Sequence, residues 1–219
     1  MKFFRKEAAP TASVAPSSSA PTRLHVGCGS EAIPGWVNID SRPLPGVDRV
    51  LDVTSGLPFD GVEAVYAEHF LEHLSLDDGL AFLAECRRAL KDEGVLRLST
   101  PNLDWVYLTH YQIGRWSDDT ESLRDCFQMN RAFHGWGHRF LYNAPSLAAV
   151  LRASGFATVR FQPYGESDVA ELRGLERHET WEDTPDLPHV IIAEASGRAA
   201  PRPLPAKLVD SFREAIAIS

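Results

Sequence analysis

Near its start the chain reads Arg23-Leu24-His25-Val26-Gly27-Cys28-Gly29, a short strand-forming run that ends in two glycines. Glycine has no Cβ atom, so the backbone of this turn can come close to a ligand. In an open α/β sheet, ligands bind beyond the carboxyl ends of the strands. The stretch therefore predicts the first strand of such a sheet and one wall of a binding site.

Each of the next three predicted strands also ends in polar side chains. These are Asp40, Asp52 and the adjacent pair Glu68 and His69. The carboxyl ends of parallel strands lie at the same edge of a sheet, so we expect the four groups to lie close together. Asp40 is suitably placed for a ribose diol, and the series predicts a nucleoside-binding site.

Strands alternate with helices along the rest of the chain. The clearest helix follows Ser75, a predicted N-cap, and ends before Gly94, and a second helix covers 145–154. Three later segments have the composition of strands: 95–99, 156–161 and 190–193. This alternation indicates an α/β fold with a mainly parallel sheet.

Length and composition exclude several classes of protein. The 219 residues suit one domain of ordinary size, and the net charge of −8 argues against a nucleic-acid partner or an anionic lipid surface. Three widely spaced cysteines suit a reducing compartment. No apolar run is long enough for a transmembrane segment. We therefore expect a cytoplasmic protein.

The chain divides into three parts by composition. Residues 1–22 are rich in Ala, Ser and Pro and predict a disordered tail. Residues 23–196 form the predicted domain, and 197–219 are a Pro-rich tail with a short amphipathic helix. Within the domain, the highly charged stretch 166–186 predicts a solvated excursion.

A nicotinamide dinucleotide site is the main competing interpretation of the glycine turn. Its fingerprint requires a third glycine and a helix that opens on the pyrophosphate. Here only a short segment separates Gly29 from Pro34, and Asp40 lies nearer than the usual interval of about 20 residues. The spacing favours a ligand without a pyrophosphate.

Four short motifs stand at these strand ends: L-H-V-G-C-G at 24–29, G-W-V-N-I-D at 35–40, L-P-F at 57–59 and L-E-H at 71–73. Together they resemble a class I S-adenosylmethionine-dependent methyltransferase. More narrowly, they are similar to the small methyltransferases with a shortened first helix that are often associated with cell-surface glycan pathways. The resemblance covers about 23–195 and implies a Rossmann-like, seven-stranded, mainly parallel sheet with helices on both faces.

The resemblance implies S-adenosylmethionine as the cofactor. The matching cofactor-binding positions are Gly27, Cys28, Gly29, Asp40, Asp52, Val53, Glu68 and His69. The glycines would flank the methionine portion, the first aspartate would hold the ribose hydroxyls, and the second would face the adenine amino group. The last two residues would border the sulfonium and the acceptor.

His69, Glu72 and His73 are candidate metal ligands, although we favour a site without metal. The run matches the H-x-x-E-H pattern of inverzincin proteases, but it stands at a strand end rather than in a helix. Small-RNA 2′-O-methyltransferases and ubiquinone-pathway O-methyltransferases carry E-x-x-E-H here, and it binds a divalent cation near the acceptor oxygen. His134 or His138 could add a ligand. The alternative is a turn that holds the following helix by hydrogen bonds.

Residues 101–145 are predicted to form a substrate-side insertion or lid, because they follow the fifth strand at the binding edge. Nine aromatic residues lie in this segment, with histidines and arginines among them. They suit a small-molecule or glycan acceptor with a hydroxylated ring, or else a subsidiary core. His134, His138 and His69 are candidates for a general base, since imidazole titrates near neutral pH.

The resulting hypothesis is an enzyme that transfers a methyl group to an oxygen or nitrogen acceptor. Two alternatives stay open. One is a non-catalytic binding or scaffold protein with the same fold, and the other is an NAD-dependent oxidoreductase. The sequence leaves the oligomeric state open.

Overall fold

The computed structural model describes residues 22–177 and 186–217, so the predicted disordered tail lies outside it except for Thr22. The strands are β1 (Arg23–Val26), β2 (Val37–Asp40), β3 (Arg49–Val50), β4 (Val62–Glu68), β5 (Leu90–Pro101), β6 (Phe156–Phe161) and β7 (Val190–Arg198). The α-helices are α1 (Leu76–Ala89), α2 (Leu103–His110), α3 (Asp119–His134), α4 (Ala144–Ala153) and α5 (Ala206–Ile216). No helix in the described residues is both long and apolar enough to cross a membrane.

The strands form one sheet in the order β3-β2-β1-β4-β5-β7-β6. The first five pair in parallel, and β7 runs antiparallel between β5 and β6. The predicted seven-stranded, mainly parallel sheet with helices is confirmed. Chain order reverses between β1 and β4, and a crevice opens at such a switch point in α/β sheets.

The start of α1 follows from its sequence. Ser75 is the N-cap as predicted, and its Oγ accepts a hydrogen bond from the backbone N–H of Asp78 at 3.1 Å. Acidic side chains in the first turn face the positive end of the helix dipole. One face of α1 packs onto the sheet, because its residues Phe82, Leu83 and Cys86 are fully buried.

The two faces of the sheet carry different cores. On one face, strand residues such as Leu24 and Val65 pack with α1 and α4 in a continuous apolar cluster. On the other face, Trp36 and Tyr66 pack against Leu172, which belongs to a 3₁₀ turn after β6. The second face therefore depends on a segment that the sequence analysis treats as solvated.

The solvated-excursion prediction for 166–186 is wrong for its described part. Glu176 is buried, and its Oε1 accepts a hydrogen bond from Arg97 Nε at 2.7 Å. Arg97 Nη1 also binds Glu194 Oε1 at 2.6 Å and the carbonyl oxygen of Glu166 at 2.9 Å. Arg97 thus neutralises Glu176, and Leu172 of the same stretch packs into the second core.

Helix α5 lies against α1 near the end of the described chain. Arg213 forms an ion pair with Asp77, with 2.5 Å between Nη2 and Oδ1. The Phe212 ring contacts the Phe140 ring edge-on, with 5.5 Å between the ring centroids. These contacts hold the helical part of the Pro-rich tail on the domain.

Candidate active site

A cavity of about 400 Å³ opens at the carboxyl ends of β1, β2 and β4, beside the switch point. We call it the first cavity. The predicted cofactor-binding residues that line it are Gly27, Asp40, Asp52, Val53 and His69. The fold thus brings together residues from the ends of β1, β2, β3 and β4.

Gly27 lies at the point where β1 turns under this cavity. Its φ is +68°, and a Cβ atom here would lie 2.4 Å from Cδ2 of the Phe70 ring. Any side chain at position 27 would therefore displace Phe70, which also lines the cavity. The glycine is needed both for backbone conformation and for close packing.

Asp40 presents an oriented carboxylate at the rim of the first cavity. Its Oδ2 accepts a hydrogen bond from Gly29 N at 3.0 Å, and its Oδ1 accepts from Arg42 N at 2.9 Å and Arg42 Nε at 3.1 Å. Burial acts to raise the pKa of Asp40, but these hydrogen bonds outweigh it and hold the pKa below its usual value. The group is ionised near neutral pH.

Asp52 caps the 3₁₀ turn Val53–Ser55 on the far side of the cavity. Its Oδ1 accepts hydrogen bonds from Thr54 N at 3.0 Å and Thr54 Oγ1 at 2.7 Å, and these lower the pKa of Asp52. Both contacts use the same carboxylate oxygen. The turn fixes the direction of this side chain, while its role toward adenine stays a prediction.

Cys28, Gly29 and Glu68 do not line the first cavity. Cys28 is buried and its N–H binds the Ile39 carbonyl oxygen at 3.1 Å; burial raises the pKa of its thiol. Glu68 accepts hydrogen bonds from Arg177 N and Arg177 Nε, both at 2.8 Å. Its carboxylate is thus engaged by the covering segment, and the predicted contact with the sulfonium stays a prediction.

His69 follows β4 and is held by a buried carboxylate. Its Nδ1 lies 3.1 Å from Oε1 of Glu72, and Oε2 of Glu72 accepts a hydrogen bond from Thr100 Oγ1 at 3.0 Å. Glu72 is fully buried. A carboxylate accepts in this contact, so Nδ1 of His69 donates the hydrogen bond.

A second cavity, of about 170 Å³, lies next to the first. It is lined mainly by apolar and aromatic residues from the 101–145 segment, together with His189 and Val190 at the start of β7. His69 and Trp136 line both cavities, so they stand at the boundary between them. The 101–145 segment thus supplies most of the wall of the second cavity.

His138 lines the second cavity, whereas His134 is exposed and lines neither cavity. The Nδ1 atom of His138 lies 2.8 Å from the carbonyl oxygen of Ala132. A carbonyl only accepts, so Nδ1 of His138 is protonated and its Nε2 is the basic atom. Of the two lid histidines predicted as bases, the structure brings His138 to the site.

Glu72, His73 and His138 could hold a metal ion, because one ligand atom of each lies within 4.8 Å of the others. The His73 and His138 rings are 5.2 Å apart between centroids. One carboxylate and two imidazoles are ligands that suit Zn²⁺ and related divalent ions. This set shares two members with the predicted one, with His138 in the place of His69.

The two boundary residues have strained backbones. Within the described residues, His69 and Trp136 are the non-glycine residues with positive φ, at 45° and 55°. Left-handed conformations of this kind persist where the surrounding structure imposes them, and they cluster at functional sites. The strain therefore marks the boundary between the two cavities.

Several residues of the site escaped the sequence analysis. Arg42 was detectable, since it follows Asp40 by two residues, a spacing at which an aspartate side chain often accepts a hydrogen bond from the backbone N–H. Thr100 and Phe70 carry no comparable signal, because their roles depend on contacts made by packing. The aromatic residues of 101–145 pointed to a segment that lines the second cavity, whereas its role as a lid stays a prediction.

A seven-stranded sheet with an antiparallel β7 and a glycine-walled crevice at the β1–β4 switch point defines the class I methyltransferase fold. The sequence agrees, because the model of a methyltransferase domain family matches residues 4–160. The chain belongs to this methyltransferase family. This membership favours methyl transfer over the oxidoreductase alternative.

Solved structures resemble the chain at low sequence identity. A protein from Bordetella parapertussis described as a possible exported protein has a TM-score of 0.50 at 16% identity, over 82% of this chain and 63% of that one. A SAM-dependent methyltransferase from Archaeoglobus fulgidus has a TM-score of 0.48 at 15% identity, over 80% of this chain and 86% of that one. The mitomycin 7-O-methyltransferase MmcR has a TM-score of 0.44 at 18% identity, over 82% of this chain and 49% of that one. The chain therefore spans about half the length of MmcR. At 16% identity, the likeness to the Bordetella parapertussis protein concerns the fold alone. No protein of curated function matches the chain.

Proposed function

We propose that this methyltransferase transfers the methyl group of S-adenosylmethionine to an oxygen or nitrogen of a small ring-bearing acceptor, such as a sugar or a surface-glycan intermediate. The observation that carries the proposal is the pair of adjacent cavities with His69 on their shared boundary. Group transfer needs two ligands side by side, with the reacting atoms in contact.

The first cavity fits the cofactor in size and in chemistry. Its volume of about 400 Å³ lies within the usual range for cofactor sites. The ionised Asp40 carboxylate offers acceptors for a ribose diol, and the bare backbone of Gly27 allows the methionine portion to approach. The cofactor supplies an electrophilic methyl carbon, which these residues orient.

The second cavity holds the acceptor in this proposal. Its aromatic walls cover the flat faces of a ring, and His69 lies where the nucleophile must meet the methyl carbon. Glu72 keeps Nδ1 of His69 protonated, so Nε2 can take the proton that the acceptor loses. His138, with its basic Nε2, is a second proton acceptor at the same cavity.

A divalent cation on Glu72, His73 and His138 is a second candidate for activating the acceptor. A cation there would lower the pKa of an acceptor hydroxyl. We favour histidine alone, because Glu72 already binds His69 and Thr100. We also propose a cytoplasmic location, which the three free cysteines of the described chain support.

Calorimetric titration with S-adenosylmethionine and S-adenosylhomocysteine tests the proposal. We expect both to bind at micromolar concentration or tighter, and Asp40→Ala to weaken both strongly. A chelator should leave cofactor binding and turnover unchanged. Loss of turnover with the chelator and its recovery with Mg²⁺ or Zn²⁺ would favour activation of the acceptor by a divalent cation. Absence of binding under every condition would overturn the proposal and favour the scaffold alternative.

A further inference from the structure

The second cavity is lined by basic side chains, although the chain as a whole is acidic. The whole chain carries 30 acidic residues against 22 Lys and Arg. In the part of the chain that the structure describes, every ionisable residue that lines the second cavity is nevertheless basic: His69, His110, Arg131, His138 and His189. The first cavity, in contrast, contains Asp40 and Asp52.

Arg131 provides the fixed positive charge of this cavity. Its guanidinium lies 5.6 Å from the centre of the Trp136 ring, in a cation–π contact that places it at the cavity wall. No described carboxylate forms an ion pair with it. Asp125, on the same helix, accepts hydrogen bonds from Gln112 N and Trp116 Nε1 instead. The guanidinium therefore keeps its bidentate donor set available for a ligand.

A structural explanation for Arg131 is its position in the last turn of α3, where a positive charge stabilises the helix dipole. That explanation accounts for the charge, but a cation anywhere on the last turn would serve equally well. It does not account for the contact with Trp136, one of the two strained residues on the boundary between the cavities.

The size of the cavity limits the ligand further. About 170 Å³ is below the usual range for drug-sized ligands and suits a single six-membered ring. Trp105 and Trp136 line it together with Val106 and Leu141, so much of its wall is apolar and aromatic, as a ring requires.

We infer that the acceptor is a small ring-bearing hydroxy acid, whose anionic group binds Arg131 while its hydroxyl lies toward His69. This inference rests on the proposed function and narrows its acceptor class. The transferred methyl carbon forms a bond to the hydroxyl oxygen as its bond to sulfur breaks, which leaves S-adenosylhomocysteine, and the hydroxyl proton is released to solvent. The ring could be aromatic or a sugar acid, because both present a hydroxyl and a carboxylate.

The test titrates the full chain, saturated with S-adenosylhomocysteine, and follows quenching of tryptophan fluorescence. One arm compares 4-hydroxybenzoate with 4-hydroxybenzamide, and the other compares glucuronate with glucose. We expect at least one acid to bind about tenfold or more tightly than its neutral counterpart. The arm that shows this preference identifies the kind of ring.

Variants of α3 show whether Arg131 is responsible. Arg131→Gln should remove most of the preference for the acid, and Arg131→Lys should retain part of it. Arg124→Gln is the matched control, because it removes the same group two turns earlier, at a position that does not line the second cavity, and should leave the preference unchanged. The inference is overturned if neither acid is preferred, or if Arg131→Gln keeps the preference.

The two proposals fail separately. If S-adenosylhomocysteine does not bind in calorimetry, the proposed function fails, while the comparison of acids with neutral compounds can still be made on the free chain. If it binds and no acid is preferred, only the acceptor class is wrong.

Discussion

Replacing Gly27 by alanine should destabilise the protein more than the same change at Gly29. Both glycines have positive φ, +68° and +56°, but an added Cβ meets Phe70 at position 27 and nothing within 4 Å at position 29. A left-handed alanine costs about 1–2 kcal/mol, partly offset by about 0.4–1 kcal/mol from the stiffer unfolded chain. Overpacking against the ring adds about 1–3 kcal/mol.

We therefore expect a loss in unfolding free energy of about 1 kcal/mol for Gly29→Ala and about 3 kcal/mol for Gly27→Ala. Urea unfolding followed by circular dichroism measures both. Gly27→Ala should also weaken S-adenosylhomocysteine in calorimetry, because the displaced Phe70 ring lines the first cavity.

A double variant isolates the clash. Because Phe70→Ala removes the ring, its combination with Gly27→Ala should be less destabilising than the sum of the single changes. Equal losses for the two glycine variants, or simple additivity in the double variant, would refute the argument that Phe70 excludes a side chain at position 27.

Three further predictions concern buried charges. Arg97→Met should lower the unfolding free energy by about 3–5 kcal/mol, because it leaves Glu176 buried without its partner. As a control, Arg160→Met removes an exposed ion pair and should cost less than about 1 kcal/mol. Equal losses of unfolding free energy for the two variants in urea would contradict this. Burial lowers the pKa of His25 from 6.5 to about 4, although a hydrogen bond to Asn38 opposes the shift, so the unfolded chain takes up a proton that the folded chain excludes. Unfolding free energy should then fall by up to about 3 kcal/mol between pH 6.5 and 4, and His25→Gln should flatten that profile. Asp40→Asn should weaken S-adenosylhomocysteine by about tenfold or more, as expected for a lost hydrogen bond to a charged group, and unchanged calorimetric affinity would disprove the ribose assignment.

Local patterns predicted the elements that place the first cavity. The strand Arg23–Val26, the acid at the end of Val37–Asp40 and the Ser75 cap all depend on neighbouring residues, which the sequence displays directly. The carboxyl-edge rule then brought Gly27 and Asp40 to one site.

Contacts between distant residues account for what the sequence did not predict. Arg97 and Glu176 are 79 positions apart in the sequence, so the pairing could not be seen locally. The high charge of 166–186 therefore led to the prediction that Glu176 is solvated. The same limit applies to the lid, where His134 and His138 were equal candidates until the turn at Gly135–Gly137 directed only one of them to the cavity.

The left-handed backbone at His69 restricts which amino acids could replace it in a randomised library. At φ 45° the conformation disfavours β-branched side chains and proline, and it admits glycine, asparagine, aspartate and histidine most readily. Within that short set, only histidine has a side chain whose ordinary pKa lies near physiological pH. Backbone shape and chemical role thus select independently at one position, and selection for folding alone should enrich glycine and asparagine, while selection for turnover should return histidine.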